Sequence, residues 1–234
     1  MKSFLITGAS SGIGRALAIR LAARGAQLTL NGRSESKLAE VKSACAGAAL
    51  VECVAADITA AGAAENLVQR SLEAMGGLDC VIHCAGIGLI KPAAETTDAE
   101  FTKVVNTNLR GTFLLARESC RIMAAQKKGL FITLPGILGK AVMKNASAYI
   151  ASKFGVSGLI KAFAQEYQRS GIRFCQFYLG GVDSPFWDNL GMPLQRDKMI
   201  PLSTAADLIA QAIDAPPHLV LAEVVLQPES HQLV

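Results

Sequence analysis

Ser3-Phe4-Leu5-Ile6-Thr7-Gly8-Ala9-Ser10-Ser11-Gly12-Ile13-Gly14 is the stretch on which the fold turns. Its opening is a short apolar strand, and after it Ile13, Leu17 and Leu21 recur at helical spacing. Between strand and helix, Gly8, Gly12 and Gly14 let the backbone bend tightly and approach a ligand closely. The free amides and the positive end of the helix attract a pyrophosphate there. The spacing is G-x-x-x-G-x-G and differs from the G-x-G-x-x-G dinucleotide fingerprint, although strand, turn and helix follow in the same order. The competing reading is a Gly/Ser turn without a ligand.

Outward from that turn the pattern repeats. Further strands are predicted over 27–31, 49–55, 78–84, 129–134, 172–178 and 219–226, each an apolar run bounded by turn residues. Helical stripes separate them: Leu38, Val41 and Cys45; Ala64, Val68, Leu72 and Met75; Phe101, Val104, Val105, Leu109, Thr112 and Ala116; a helix-like run over 146–169; and Ala205, Leu208, Ile209 and Ala212. Seven strands alternating with six helices define an α/β chain, a doubly wound parallel sheet with right-handed crossovers and helices on both faces. Gly8 to Gly14, Arg33, Asp57, Ala85-Gly86 and Gly180 to Ser184 all follow the carboxyl end of a strand. Ligands bind at that edge of such sheets.

In a dinucleotide fold the end of the second strand meets the adenosine ribose. A carboxylate there holds the 2′-hydroxyl of NAD, and an arginine pairs with the 2′-phosphate of NADP. Asn31, Gly32 and Arg33 supply an arginine and no carboxylate, so NADP(H) is the expected cofactor. Within the stripe that follows the fourth strand, Asn108 is either a satisfied core polar residue or a group that holds water near a site. Gly111 in the same stripe suggests close packing or a kink.

With 51% hydrophobic and 18% charged residues the chain buries a large core, and no Pro/Ser/Gly-rich linker divides its 234 residues; one domain over 1–234 is expected. No apolar run is long enough to span a membrane, and Met1-Lys2-Ser3 leads directly into a strand, so a cytoplasmic protein is expected. The six cysteines (Cys45, Cys53, Cys80, Cys84, Cys120 and Cys175) stand in apolar stretches without CxxC or Cys/His ligand spacing, which reads as reduced core residues and no metal. The net charge of +4 is dispersed, which argues against a nucleic-acid partner.

Tyr149-Ile150-Ala151-Ser152-Lys153 places a tyrosine and a lysine on one helix face, about one turn apart. An ammonium held there favours phenolate and lowers the tyrosine pKa toward working pH, as a donor to a carbonyl oxygen needs. The alternative is two amphipathic side chains on a surface helix.

Thr7 to Gly14, Asp57, Cys84-Ala85-Gly86, Asn108 and Tyr149 to Lys153, in this order and at this spacing, resemble the short-chain dehydrogenase/reductase family over essentially the whole chain. The resemblance implies a single Rossmann-type domain and an NADP(H)-dependent interconversion of a carbonyl and an alcohol. Tyr149 would donate the proton, Lys153 would lower its pKa and bond the nicotinamide ribose, and Asn108 would hold the water of a proton relay. Gly8, Ser10, Ser11, Gly12, Ile13 and Gly14 would cradle the pyrophosphate. Asp57 and Ile58 would lie near the adenine, Cys84, Ala85 and Gly86 along the cofactor, and Val182 and Ser184 near the nicotinamide amide. His83 and Cys84 replace two asparagines usual in the family's turn. A loop around 185–203, with Trp187, Leu190, Met192 and Met199, would cover a small-molecule substrate, weakly favouring an apolar one. A homodimer or homotetramer would pair through the helices carrying Asn108 and Tyr149, where Phe113, Leu114, Leu115, Leu159, Ile160 and Phe163 offer apolar faces.

The departure from the family is Gly136, which stands thirteen residues before Tyr149, where a catalytic serine is usual. Asn145, Ser147, Thr133 or the Gly136 amide could supply the missing donor. If nothing does, the protein is a slow enzyme or an NADPH binder with a sensing or assembly role, and Gly136→Ser should raise turnover at least about tenfold.

Overall fold

The computed structural model describes residues 2–188, 190–191 and 194–233. Seven parallel strands form one sheet in the order β3-β2-β1-β4-β5-β6-β7: β1 (Ser3–Thr7), β2 (Gln27–Gly32), β3 (Leu50–Ala55), β4 (Cys80–His83), β5 (Gly129–Thr133), β6 (Ile172–Leu179) and β7 (Glu223–Leu226). The order reverses between β1 and β4, so the loops after those strands diverge and open a crevice at the carboxyl edge.

Alternation along each strand divides the core in two. Phe4, Ile6, Leu28, Leu30, Ile82, Ile132 and Phe177 face one layer of helices, α1 (Gly12–Ala22), α2 (Glu35–Ala44) and α7 (Leu202–Ile213). Leu5, Val81, Phe131 and Phe174 face the other, α3 (Ala63–Met75), α5 (Gly111–Gln126) and α6 (Ser147–Glu166). Both faces are covered, which is why the central strands read as continuous apolar runs.

Two elements differ from the sequence reading in informative ways. The last strand begins at Glu223 instead of 219, because the Arg173 guanidinium, next to where pairing would have begun, donates instead to the carbonyls of Ala215, Pro216 and Leu219. Leu219, Val220 and Leu221 are left exposed. The stripe around Asn108 is a helix with a break: α4 (Asp98–Val105) passes through a π-helical turn, Asn106–Arg110, into α5. Gly111 ends that turn where a Cβ would stand 3.1 Å from Ile58 Cγ2, so the kink and the close packing expected at this glycine share one cause.

Candidate active site

The turn after β1 is a cradle that needs glycine at three of its positions. Gly8 has φ +64° and Gly12 φ +51°, and a Cβ on Gly8 would stand 2.8 Å from Ala85 N and from Cys84 C, in the next loop of the crevice. A Cβ on Gly14 would collide with Gly8 O. Ser11, at the N-cap of α1, makes no side-chain capping bond, so it does not occupy the first amides of the helix. Gly8, Ser10, Ser11, Gly12, Ile13 and Gly14 line one wall of a cleft of about 690 Å³. The fit of this wall to a pyrophosphate is steric and electrostatic together.

The same cleft reaches Arg33 at the end of β2 and Asp57 and Ile58 after β3. Lys37 joins them. The sequence did not single it out; Ser34 caps α2 by accepting from Lys37 N at 3.3 Å, which starts the helix so that Lys37, in its first turn, lines the same cleft as Arg33. Asp57 Oδ1 accepts from Thr59 N at 2.9 Å and Thr59 Oγ1 at 2.7 Å. Those bonds, with Arg33 nearby, hold its carboxyl below the usual range.

Tyr149 and Lys153 line the middle of the cleft with Cys84, Ala85 and Gly86, and Val182 and Ser184 complete it. Lys153 Nζ donates to Leu134 O at 3.0 Å and lies 5.5 Å from the centre of the Tyr149 ring. Burial takes Lys153 down from its ordinary 10.5 to about 8. The expectation of a lowered Tyr149 pKa fails here. Burial raises the phenol above its ordinary value and no charge offsets it, because the lysine is committed to a carbonyl and not to the phenol oxygen.

Asn108 is 2% exposed and its side chain is fully used. Oδ1 accepts from Ile87 N at 2.8 Å, and Nδ2 donates to Ile87 O at 2.9 Å and to Ser152 Oγ at 2.9 Å. Of the two readings of Asn108, the side chain fits the satisfied polar residue: it clamps the loop after β4 to α6. Gly86 is pressed against it, since a Cβ there would lie 3.2 Å from Asn108 Oδ1 and 3.5 Å from Lys153 Nζ. His83, unremarked in the sequence apart from replacing an asparagine, bonds Thr7 Oγ1 through Nδ1 at 2.7 Å. Burial, helped by Lys153, keeps the ring neutral with a pKa near 3.

At the other end, Gly136 lines the cleft with φ +72° and ψ 174°, a backbone region essentially closed to residues with a side chain. The donors expected to replace a serine are elsewhere. The Gly136 amide donates to Phe177 O at 3.2 Å, Ser147 and Asn145 are exposed and do not line the cleft, and Thr133 is buried in β5. Of the substrate segment, Trp187 and Leu190 reach the cleft, joined by Phe186 and Asp188; Met199 stands off it, and Met192 lies outside the described residues. The six cysteines are unpaired, and among the described residues no cluster could hold a metal ion and no helix is long and apolar enough to cross a membrane.

A family model described as short chain dehydrogenase matches residues 2–194. The chain is 31% identical to a sepiapterin reductase of Chlorobaculum tepidum over 97% of its own length and 96% of that protein. Among solved structures it resembles a levodione reductase (30% identity, TM-score 0.89, 98% and 97% of the two chains) and a metagenomic short-chain oxidoreductase in complex with NADP (27% identity, TM-score 0.84, 97% and 96%). The chain belongs to the short-chain dehydrogenase/reductase family, and its sheet is a Rossmann-type sheet.

Proposed function

We propose that the protein is an NADP(H)-dependent oxidoreductase that reduces a ketone to an alcohol or runs the reverse reaction. The observation that carries this reading is one continuous cleft holding the glycine cradle and the Arg33–Lys37 pair at one end and Tyr149 with Lys153 toward the other. Two cations beside the end of β2 suit a 2′-phosphate, and the similar solved structure in complex with NADP supports the same cofactor. When bound, the nicotinamide supplies a hydride to the carbonyl carbon. Tyr149, held protonated by burial, gives its proton to the carbonyl oxygen, and Lys153, whose ammonium lies 5.5 Å from the centre of the Tyr149 ring, is the cation that can meet the phenolate left behind once it turns from the Leu134 carbonyl. The raised phenol pKa favours reduction at neutral pH, because oxidation must start from phenolate. Asn108 holds Ile87 and Ser152, keeping the loop after β4 and α6 in register around Tyr149.

Gly136 favours a second reading, an NADPH-binding protein with little turnover, because its own amide is bonded to Phe177 O and none of Asn145, Ser147 and Thr133 lines the cleft in place of the serine hydroxyl. A panel of ketones and aldehydes, followed by NADPH absorbance and paired with calorimetry, separates the two. Oxidation of NADPH above the buffer rate supports the enzyme; tight NADPH binding with no oxidation supports the binder.

The chain is further read as one domain that forms a homo-oligomer through α4, α5 and α6. Phe101, Phe113 and Phe154 support this, with 43%, 39% and 43% of their surface exposed, whereas Leu115, Ile160 and Phe163 turn into the core.

A further inference from the structure

The carbonyl end of the cleft is roofed by rings. Phe186 stands with its centroid 6.0 Å from that of Tyr149 and its plane tilted by 38°, and Trp187 meets Phe186 edge-on at 5.3 Å. Trp187 is anchored by Nε1 donating to Val182 O at 2.9 Å. Opposite, a Cβ on Gly88 would lie 2.7 Å from Phe186 Cζ and 3.1 Å from Leu190 Cδ1, so the segments that follow β4 and β6 touch over the site. A spacing of 6.0 Å cannot admit another ring between Tyr149 and Phe186, since two stacking contacts need about 7 Å. A substrate therefore reaches Tyr149 from the side of Leu134 and Gly136. There a Cβ would find its nearest neighbour, Leu179 O, at 3.6 Å, so the absent side chain leaves room.

Charge narrows the choice further. Arg196 donates to both Asp183 and Asp188, so Asp188, which lines the cleft, is already paired and so is the nearest guanidinium. Lys153 is bonded to Leu134 O, and among the described residues no other lysine or arginine lines this end. A carboxylate or phosphate on the substrate would be desolvated with no free cation to meet it.

We propose that the substrate is an uncharged ketone bearing a ring or other bulky apolar group near the carbonyl, that group lying beside Phe186 and not between it and Tyr149, with the space at Gly136 taking the substituent on the other side. This rests on the oxidoreductase reading and names the substrate class of the same cleft. Phe186 is the specificity-determining residue.

Trp187 is the chain's single tryptophan and touches Phe186, so its fluorescence reports occupancy without turnover. The test titrates NADPH-loaded protein with phenylacetone and with phenylpyruvate, which differ by a methyl against a carboxylate, and measures kcat/KM for both. Phenylacetone should shift Trp187 emission and bind at least about tenfold tighter. Phe186→Ala should weaken its binding about tenfold, with NADPH affinity kept within about twofold and most of the loss recovered in Phe186→Leu. Equal or tighter binding of phenylpyruvate, no Trp187 response to either compound, or a Phe186→Ala effect under about twofold overturns the inference. Selective binding of phenylacetone without reduction leaves the inference standing and overturns the oxidoreductase reading. Reduction of both compounds at equal efficiency does the opposite.

Discussion

The dinucleotide end of the cleft is walled by backbone and cations: Gly8, Gly12 and Gly14 against the helix start, then Arg33 and Lys37. The carbonyl end is walled by side chains, Tyr149, Phe186 and Trp187, converging from α6 and the segment after β6. The first end suits a ligand of fixed shape and high charge, which bare amides and guanidinium groups recognise with little help from packing. On the proposed reading the second end has to match a carbonyl compound, with rings whose positions depend on the packing of separate loops. A backbone site is announced by glycine spacing, whereas a side-chain site is assembled only when the loops meet.

The contrast can be broken most sharply at Tyr149. Tyr149→Phe should lower turnover by about 10³-fold while NADPH affinity, measured by calorimetry, stays within about threefold, because only the carbonyl end loses a group. A parallel loss of NADPH binding would mean that the two ends are not separable.

Lys153 lies where they meet, and its titration gives the next largest effect. Its pKa falls from 10.5 unfolded to about 8 folded, so between those values the unfolded chain binds the extra proton and stability rises with pH. The six cysteines, all raised by burial above their ordinary 9.0, oppose this as pH passes 9, and Tyr149 does so above its ordinary 10.0, which leaves pH 8 to 9 as the cleanest window. One pH unit corresponds to about 1.4 kcal/mol at most, and urea unfolding of Lys153→Met should lose that slope relative to the native chain, the cysteine contributions being common to both.

At the dinucleotide end, Arg33→Ala should raise the NADPH Kd about tenfold or more and Lys37→Ala by a smaller factor, both with little change for NADH. Equal losses for the two nucleotides would place the cations away from the 2′-phosphate. The smallest effect on function is expected at Gly136. From the sequence, Gly136→Ser is expected to speed turnover only if no other group has replaced the serine, but φ +72° and ψ 174° are strained for serine in either case. The substitution should cost about 1–3 kcal/mol of stability, seen as a Tm lower by several degrees, with no tenfold gain in kcat. A tenfold gain at unchanged Tm would show that the turn accepts a side chain.

The glycine turn, Arg33, Asp57 and the Tyr149–Lys153 pair were legible because each is fixed by local backbone geometry, a strand end or a helix turn. Lys37, His83 and Phe186 were not: their chemistry comes from neighbours far away in the chain, Arg33 excepted. Asn108 stayed ambiguous for the same reason. A periodic pattern places it on the buried face, and only the return of Ile87 and Ser152 to its amide shows how it is satisfied.

By itself the sequence determined the alternation of strands and helices, the sheet edge where the candidate site residues gather and the helix that carries Tyr149 and Lys153, because hydrophobic periodicity and glycine placement act over a few residues. The tertiary structure decided that Tyr149 is raised and not lowered in pKa, since desolvation depends on everything packed around the phenol. It also decided that Gly136 holds a conformation serine resists, which no residue count along the chain can express, because φ there is set by the bond from Gly136 N to Phe177 on the neighbouring strand and by the turn that follows.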